Sequence, residues 1–269
     1  VKKLALLGAV LVLAASLIGC GGGDDPVVVV TGPGLVGIDD RTTSSAPPRL
    51  RVTYMVPLSP TPVTANIFSD PSSDGDIEFD RVLATFFVTM SPPVVLFGED
   101  SQDANLPEFR AFLTFPLDGS TGQPAVPGDA VIVSATLEVL VDRVDFASVV
   151  PAFIDLVEYP VTGLSAADFN SVPLAFQSLD FFFDDPGSIV AIDVTQFMQL
   201  AQTPPALLDF QVRFLVDTGS AALSLSRTPS VKADRTVRPL PRPMDNIVPN
   251  RGIPSAKPEG RRDPTSKRR

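Results

Sequence analysis

The chain has 269 residues, 44% of them hydrophobic, with 28 prolines, 18 phenylalanines, one cysteine, and neither tryptophan nor histidine. Its formal charge of −10 is unevenly spread: residues 1–226 carry 9 Lys/Arg against 27 Asp/Glu, and residues 227–269 carry 12 against 4. Without His, the usual general base, the Ser-His-Asp relay and histidine zinc sites are excluded. A single Cys excludes an intramolecular disulfide, CxxC redox chemistry and c-type haem attachment, and the acidic part repels nucleic acid.

Residues 1–20 read as a lipoprotein signal peptide. Lys2 and Lys3 form a positive start, Leu4 to Ile18 is an apolar run, and the run stops at Gly19-Cys20. Leu17-Ile18-Gly19-Cys20 resembles the lipobox of bacterial lipoproteins, in which the cysteine becomes the acylated first residue of the mature protein. The resemblance implies a lipid (palmitate-type) anchor on Cys20, an extracytoplasmic domain in the cell envelope, and, with Gly21 rather than Asp next, the outer membrane in a Gram-negative host. The initial Val is then a start codon read literally. An uncleaved transmembrane anchor is the alternative, for which the apolar run is short.

Residues 21–34, opening with GGGDD, read as a flexible tether. Within 35–57, Leu50 to Val56 alternates as a strand that can complete a sandwich from the N-terminal side. Residues 58–77, rich in Pro, Ser, Thr and Asp, read as loop or linker, and 78–226 as the β-sandwich domain.

The strands expected there are Val82 to Met90, Val94 to Phe97, Arg110 to Leu117, Ala130 to Val141, Ala152 to Tyr159, Phe181 to Phe183, Ile189 to Val194, Leu208 to Val216 and Ala221 to Ser226. Ser165 and Asp168 have capping-box spacing and predict one helical turn before Phe169. Thr195 to Gln202 predicts a short helix with Phe197, Leu200 and Ala201 on one face, stopped by Pro204-Pro205. Eight to ten short strands without long crossover helices predict an all-β fold: an antiparallel two-sheet sandwich, jelly-roll-like, with one or two short helices. Residues 227–269 read as a basic disordered tail.

Phe109 to Leu117, Pro127 to Val139 and Ile192-Asp-Val-Thr195 together resemble the DNRLRE domain, related to disaggregatase-type and carbohydrate-binding β-sandwiches of secreted proteins. The resemblance covers about residues 78–226. The chain lacks the Trp usual in that family. The family's terminal strand is matched by Asp40 to Tyr54, ahead of the domain instead of after it. Circular permutation, a remnant of a preceding repeat, or an altered C-terminal end each account for that order.

Carboxylates are the remaining functional groups. Asp70, Asp74, Asp76, Glu78 and Asp80 flank Gly75 loosely like a calcium loop, and Glu99, Asp100 and Asp103 form a second candidate calcium cluster. A solvated acidic loop explains the same residues, so Ca2+ is a candidate cofactor and nothing more definite. A carboxylate-pair glycosidase needs two acids facing across a cleft, and Glu138, Asp142, Asp155 and Glu158 add to the supply. Phe181, Phe182 and Phe183 must place at least one ring outward and are the candidate ligand-facing aromatics. The expected product is a non-catalytic, lipid-anchored exported sandwich with a structural, adhesive or scaffolding role. Its partners are then the membrane and a cell-surface glycan or envelope protein, with no nucleic acid. A carbohydrate-binding module is the alternative, and a carboxylate-based glycoside hydrolase the next.

Overall fold

The structure is a computed structural model that describes residues 30–41, 44, 46–57, 59, 61–216 and 234–240. Of the described residues 51% are in strands and 6% are helical, which makes the fold all-β and sandwich-like. Every pairing between strands is antiparallel. The strands are β1 (Leu35–Asp39), β2 (Arg49–Met55), β3 (Val63–Phe68), β4 (Gly75–Asp80), β5 (Thr85–Met90), β6 (Val94–Glu99), β7 (Glu108–Pro116), β8 (Val131–Asp145), β9 (Val149–Val157), β10 (Ala175–Phe182), β11 (Ser188–Asp193), β12 (Asp209–Val216) and β13 (Arg235–Pro239).

They form one curled sheet, and β8 is where it folds over. The first part of this 15-residue strand pairs with β2 and β11, and its last part, from Val141 to Asp145, pairs with β1. One layer is therefore β3-β2-β8-β11-β13. The other runs β10-β9-β12-β7-β6-β1, with the β4–β5 hairpin added to β7. Period-2 alternation drives the closure: Ala135, Leu137, Val139 and Val141 of β8 and Leu50, Val52 and Tyr54 of β2 enter the core, facing Leu113, Phe115, Ile154 and Phe214. Phe97 stacks on Phe214 at a centroid distance of 5.4 Å.

Gly98 is required at its position. Its φ is +120°, and a Cβ there would lie 1.9 Å from the Gly34 carbonyl oxygen. The close approach lets β6 cross from β1 to the start of β7.

A second, smaller cluster lies on the outer face of the β7 layer, where Ile77, Phe112, Val157, Tyr159 and Phe169 pack together. The cover for it is a 3-10 turn, Ala166–Asn170. The Asp168 carboxylate accepts from the Ser165 N–H at 2.7 Å and its Oγ at 2.8 Å. Two arginines hold the turn to the sheet. Arg213 Nη1 donates to the Asp168 and Phe169 carbonyls, and the Arg110 guanidinium lies 3.8 Å above the Phe169 ring.

Four sequence expectations are corrected. Residues 58–77, expected as loop or linker, contain β3, because Ala65 and Ile67 alternate inward despite the Pro- and Ser-rich surroundings. The strand expected from Val82 starts only at Thr85, since the Asp80 carboxylate accepts the Val82 and Leu83 N–H groups and closes a turn. In α1 (Thr195–Ala201) the buried residues are Phe197, Met198 and Ala201, whereas Leu200 is 41% exposed. The tail expected to be disordered from Arg227 contributes β13, which pairs with β11 along the layer edge. Arg235 anchors it by donating to both Asp185 oxygens at 2.7 and 2.8 Å. The signal peptide, Cys20, the strand expected at Ala221 to Ser226 and the tail beyond Leu240 lie outside the described residues.

Candidate functional site

β4 carries most of the first candidate calcium set, and its geometry explains why the set does not converge. In a strand, residues two apart share a face but lie about 6–7 Å apart, whereas oxygens on one Ca2+ each lie about 2.3–2.6 Å from the ion. Among the described residues, no three His, Cys, Asp or Glu side chains are grouped to hold a metal ion.

Each acid instead has a local task. Asp70 accepts from Ser72 N and Oγ at 3.0 and 2.7 Å and from Ser73 Oγ at 3.0 Å. Burial pushes its carboxyl up, but these hydrogen bonds outweigh it and hold the acid below the usual range. Asp74 accepts the Thr114 N–H at 2.6 Å, and Asp76 the Leu96 N–H at 3.1 Å. Burial raises Asp76 to about 6. Glu78 is raised by burial and by the charges of Asp80 and Asp103. Asp80 also accepts from Asn105 Nδ2 at 2.9 Å.

In the second set, Glu99 pairs with Arg81. Asp100 accepts the Gln102 and Asp103 N–H groups, and Asp103 the Asn105 N–H, at 2.8 to 3.2 Å. These are Asx-type turns built by the chain itself.

Among the other carboxylates, Glu138 sits 4% exposed beneath Arg49, Arg51 and Arg238. Burial favours its neutral form, but the three guanidiniums, Arg49 foremost, hold it below the usual range. Asp155 is fully buried and bonded to Arg213 at 2.6 Å. Glu158 lines a shallow groove of about 500 Å3 with Tyr159, Leu208, Asp209 and Gln211. Tyr159 Oη lies 2.7 Å from Thr114 Oγ1, so the groove floor is tied to the residue that donates to Asp74.

Sequence reasoning did not find one buried pair. Asp40 and Asp74, 2% and 0% exposed, are hydrogen-bonded to each other. Oδ2 of each is buried and receives no N–H or hydroxyl donor. Ser69 Oγ donates to Asp40 Oδ1 at 3.1 Å. Burial, above all, raises Asp40 to about 7, and burial followed by the charge of Asp40 holds Asp74 well above the usual carboxylate range; a hydrogen bond between two carboxyls requires a proton on one of them. Nothing in the local sequence signals this meeting between the end of β1 and the start of β4.

The three phenylalanines separate. Phe181 is fully buried, edge-on to Phe97 at 5.2 Å. Phe182 is 36% exposed and covered on one face by the Arg235 guanidinium, 4.9 Å from its centroid. Phe183 is 62% exposed at the mouth of the β10–β11 turn. Asp185 sets that turn by accepting the Phe182 N–H at 2.7 Å, and Gly187 closes it with φ +76°. No member of the turn was legible as a partner of Arg235, which belongs to the segment expected to be disordered.

Comparison with protein-family models, curated proteins and solved structures finds no match.

Proposed function

We propose that this chain is a lipid-anchored, exported β-sandwich protein, DNRLRE-like in ancestry, with a structural, adhesive or scaffolding role at the cell envelope. The observation that carries the reading is the order Lys2-Lys3, apolar Leu4 to Ile18, then Leu17-Ile18-Gly19-Cys20, with the folded domain under way by Val30. The non-catalytic part of the reading is supported by how the acids are used. Asp70, Asp74, Asp76, Asp80, Asp100 and Asp103 accept backbone N–H groups of their own domain, which is the work of loop and edge architecture.

Cell fractionation of the protein and its Cys20→Ser variant tests the anchor. The parent is expected in the membrane fraction and the variant in the soluble one; equal distribution contradicts the reading. Carbohydrate binding is the second reading, favoured by the exposed Phe183 ring. Retention of the protein on a glycan array, lost in Phe183→Ala, would put that reading first.

A further inference from the structure

We infer that the end of the sandwich formed by Val30, Ser148, Phe182 and Phe183 rests on the bilayer surface, with the Phe183 ring entering the lipid interface. The inference builds on the proposed anchoring at Cys20 and adds an orientation to it.

Ser148 joins the backbone on both sides of this end: its N–H donates to the Val30 carbonyl at 2.8 Å, and its carbonyl accepts the Phe183 N–H at 3.1 Å. Val30 is 51% exposed and Phe183 62%, with Phe182 at 36% beside them. The described chain therefore enters the fold in the middle of an exposed apolar patch.

Tether length supplies the occupant. Ten residue steps separate Cys20 from Val30, which span at most about 33–36 Å when fully extended. A domain held by acyl chains on Cys20 keeps this end within that distance of the headgroups. The opposite end of the β9–β10 hairpin lies farther from the point where the tether enters the fold, because Phe182 pairs with Val149 while Ala175 pairs with Leu156, and eight strand residues cover roughly 25 Å. Any apolar surface that gains by leaving water gains most often at the end nearest the bilayer.

Charge narrows the kind of lipid. Asp184 is exposed beside Phe183, and Asp145 lies at the end of β8, three residues before Ser148, with Arg143 at 3.7 Å. Arg235 is already committed to Asp185. Among the described residues the patch carries no surplus of free cations, so it suits a zwitterionic interface, and its docking is insensitive to salt.

The chain has no tryptophan, so one introduced indole reports without background. Phe183→Trp and, as the distant control, Val172→Trp, at the 86% exposed residue near the other end of β10, are prepared in the full chain. Cys20, the one thiol, is coupled to maleimide-bearing lipid in phosphatidylcholine vesicles. Coupling places the domain on a bilayer whether or not a cell acylates it. Intact mass of protein from cell membranes reads acylation separately, so the anchor and the docking fail independently. With phosphatidylcholine brominated near the headgroup, the indole emission of Phe183→Trp is expected to shift to the blue and lose several-fold more intensity than that of Val172→Trp, with or without added salt. Equal quenching of the two variants, or none in either, overturns the inference.

Discussion

The Asp40 and Asp74 carboxyls hydrogen-bond to each other inside the sandwich and share one proton, with Thr114 and Ser69 supplying their remaining bonds. The charges of Asp39 and Asp70, also acids, act on Asp40. A folded-state pKa raised from 3.8 to about 7 means that the folded chain binds this proton more tightly than the unfolded one. The pair's stabilising contribution is thus full at acidic pH and declines as pH rises from about 4 through about 7. Asp70, whose carboxyl is lowered, acts in the opposite sense and loses its contribution only as pH falls below the usual carboxylate range. Asp74→Asn keeps an acceptor for Thr114 and gives Asp40 a permanent donor. Urea titrations from pH 4 to 8 are expected to show the variant more stable than the parent at the alkaline end by about 1–3 kcal/mol, with a flatter profile. Parallel profiles would contradict proton sharing.

Arg213 and Asp155 are cross-strand partners on β12 and β9, both almost fully buried. Arg213→Met removes the cation and also the donor to the 3-10 turn. The expected loss is about 3–5 kcal/mol, measured by denaturant unfolding. Hydrogen exchange is expected to rise first in residues 166–170. A loss below about 1 kcal/mol, the range of a screened surface pair, would mean that the pair contributes little.

β13 is held by two arginines of unlike consequence. Arg235 is 12% exposed at its side chain and donates to Asp185, whereas Arg238 is 52% exposed and shares Glu138 with Arg49 and Arg51. Arg235→Ala is expected to cost about 1.5–3 kcal/mol and to deprotect the β11 amides. Arg238→Ala is expected to cost under about 1 kcal/mol. Equal effects would contradict this division.

Gly98→Ala places a methyl group on the Gly34 carbonyl at a backbone angle that L-residues resist. Destabilisation of at least about 2 kcal/mol is expected, read as a lowered thermal midpoint, together with loosening of β1 against β6. An unchanged midpoint would mean that the β1–β6 crossing relaxes freely.

What could be read from sequence was what local chemistry determines. The alternation in Ala130 to Val141 marked β8 and its inward face, and Ser165 with Asp168 marked the helical turn, because each depends on neighbours two or three residues away. β3 was hidden by the composition around it. β13 was hidden because an edge strand needs only a backbone partner, and Arg235 and Arg238 resemble tail residues until Asp185 and Glu138 are placed beside them. The calcium reading treated Asp70 to Asp80 as a loop; β4 spreads Asp76, Glu78 and Asp80 along a strand. The Asp40–Asp74 pair joins distant elements and has no sequence signature.

Intact mass combined with limited proteolysis of membrane-extracted protein tests the central claim most directly. The account predicts a diacyl or triacyl mass on Cys20 and a resistant core that starts near Val30 and retains residues 234–240 through β13. An unmodified Cys20, or a core that begins after Asp76 without β1 and β2, would contradict it.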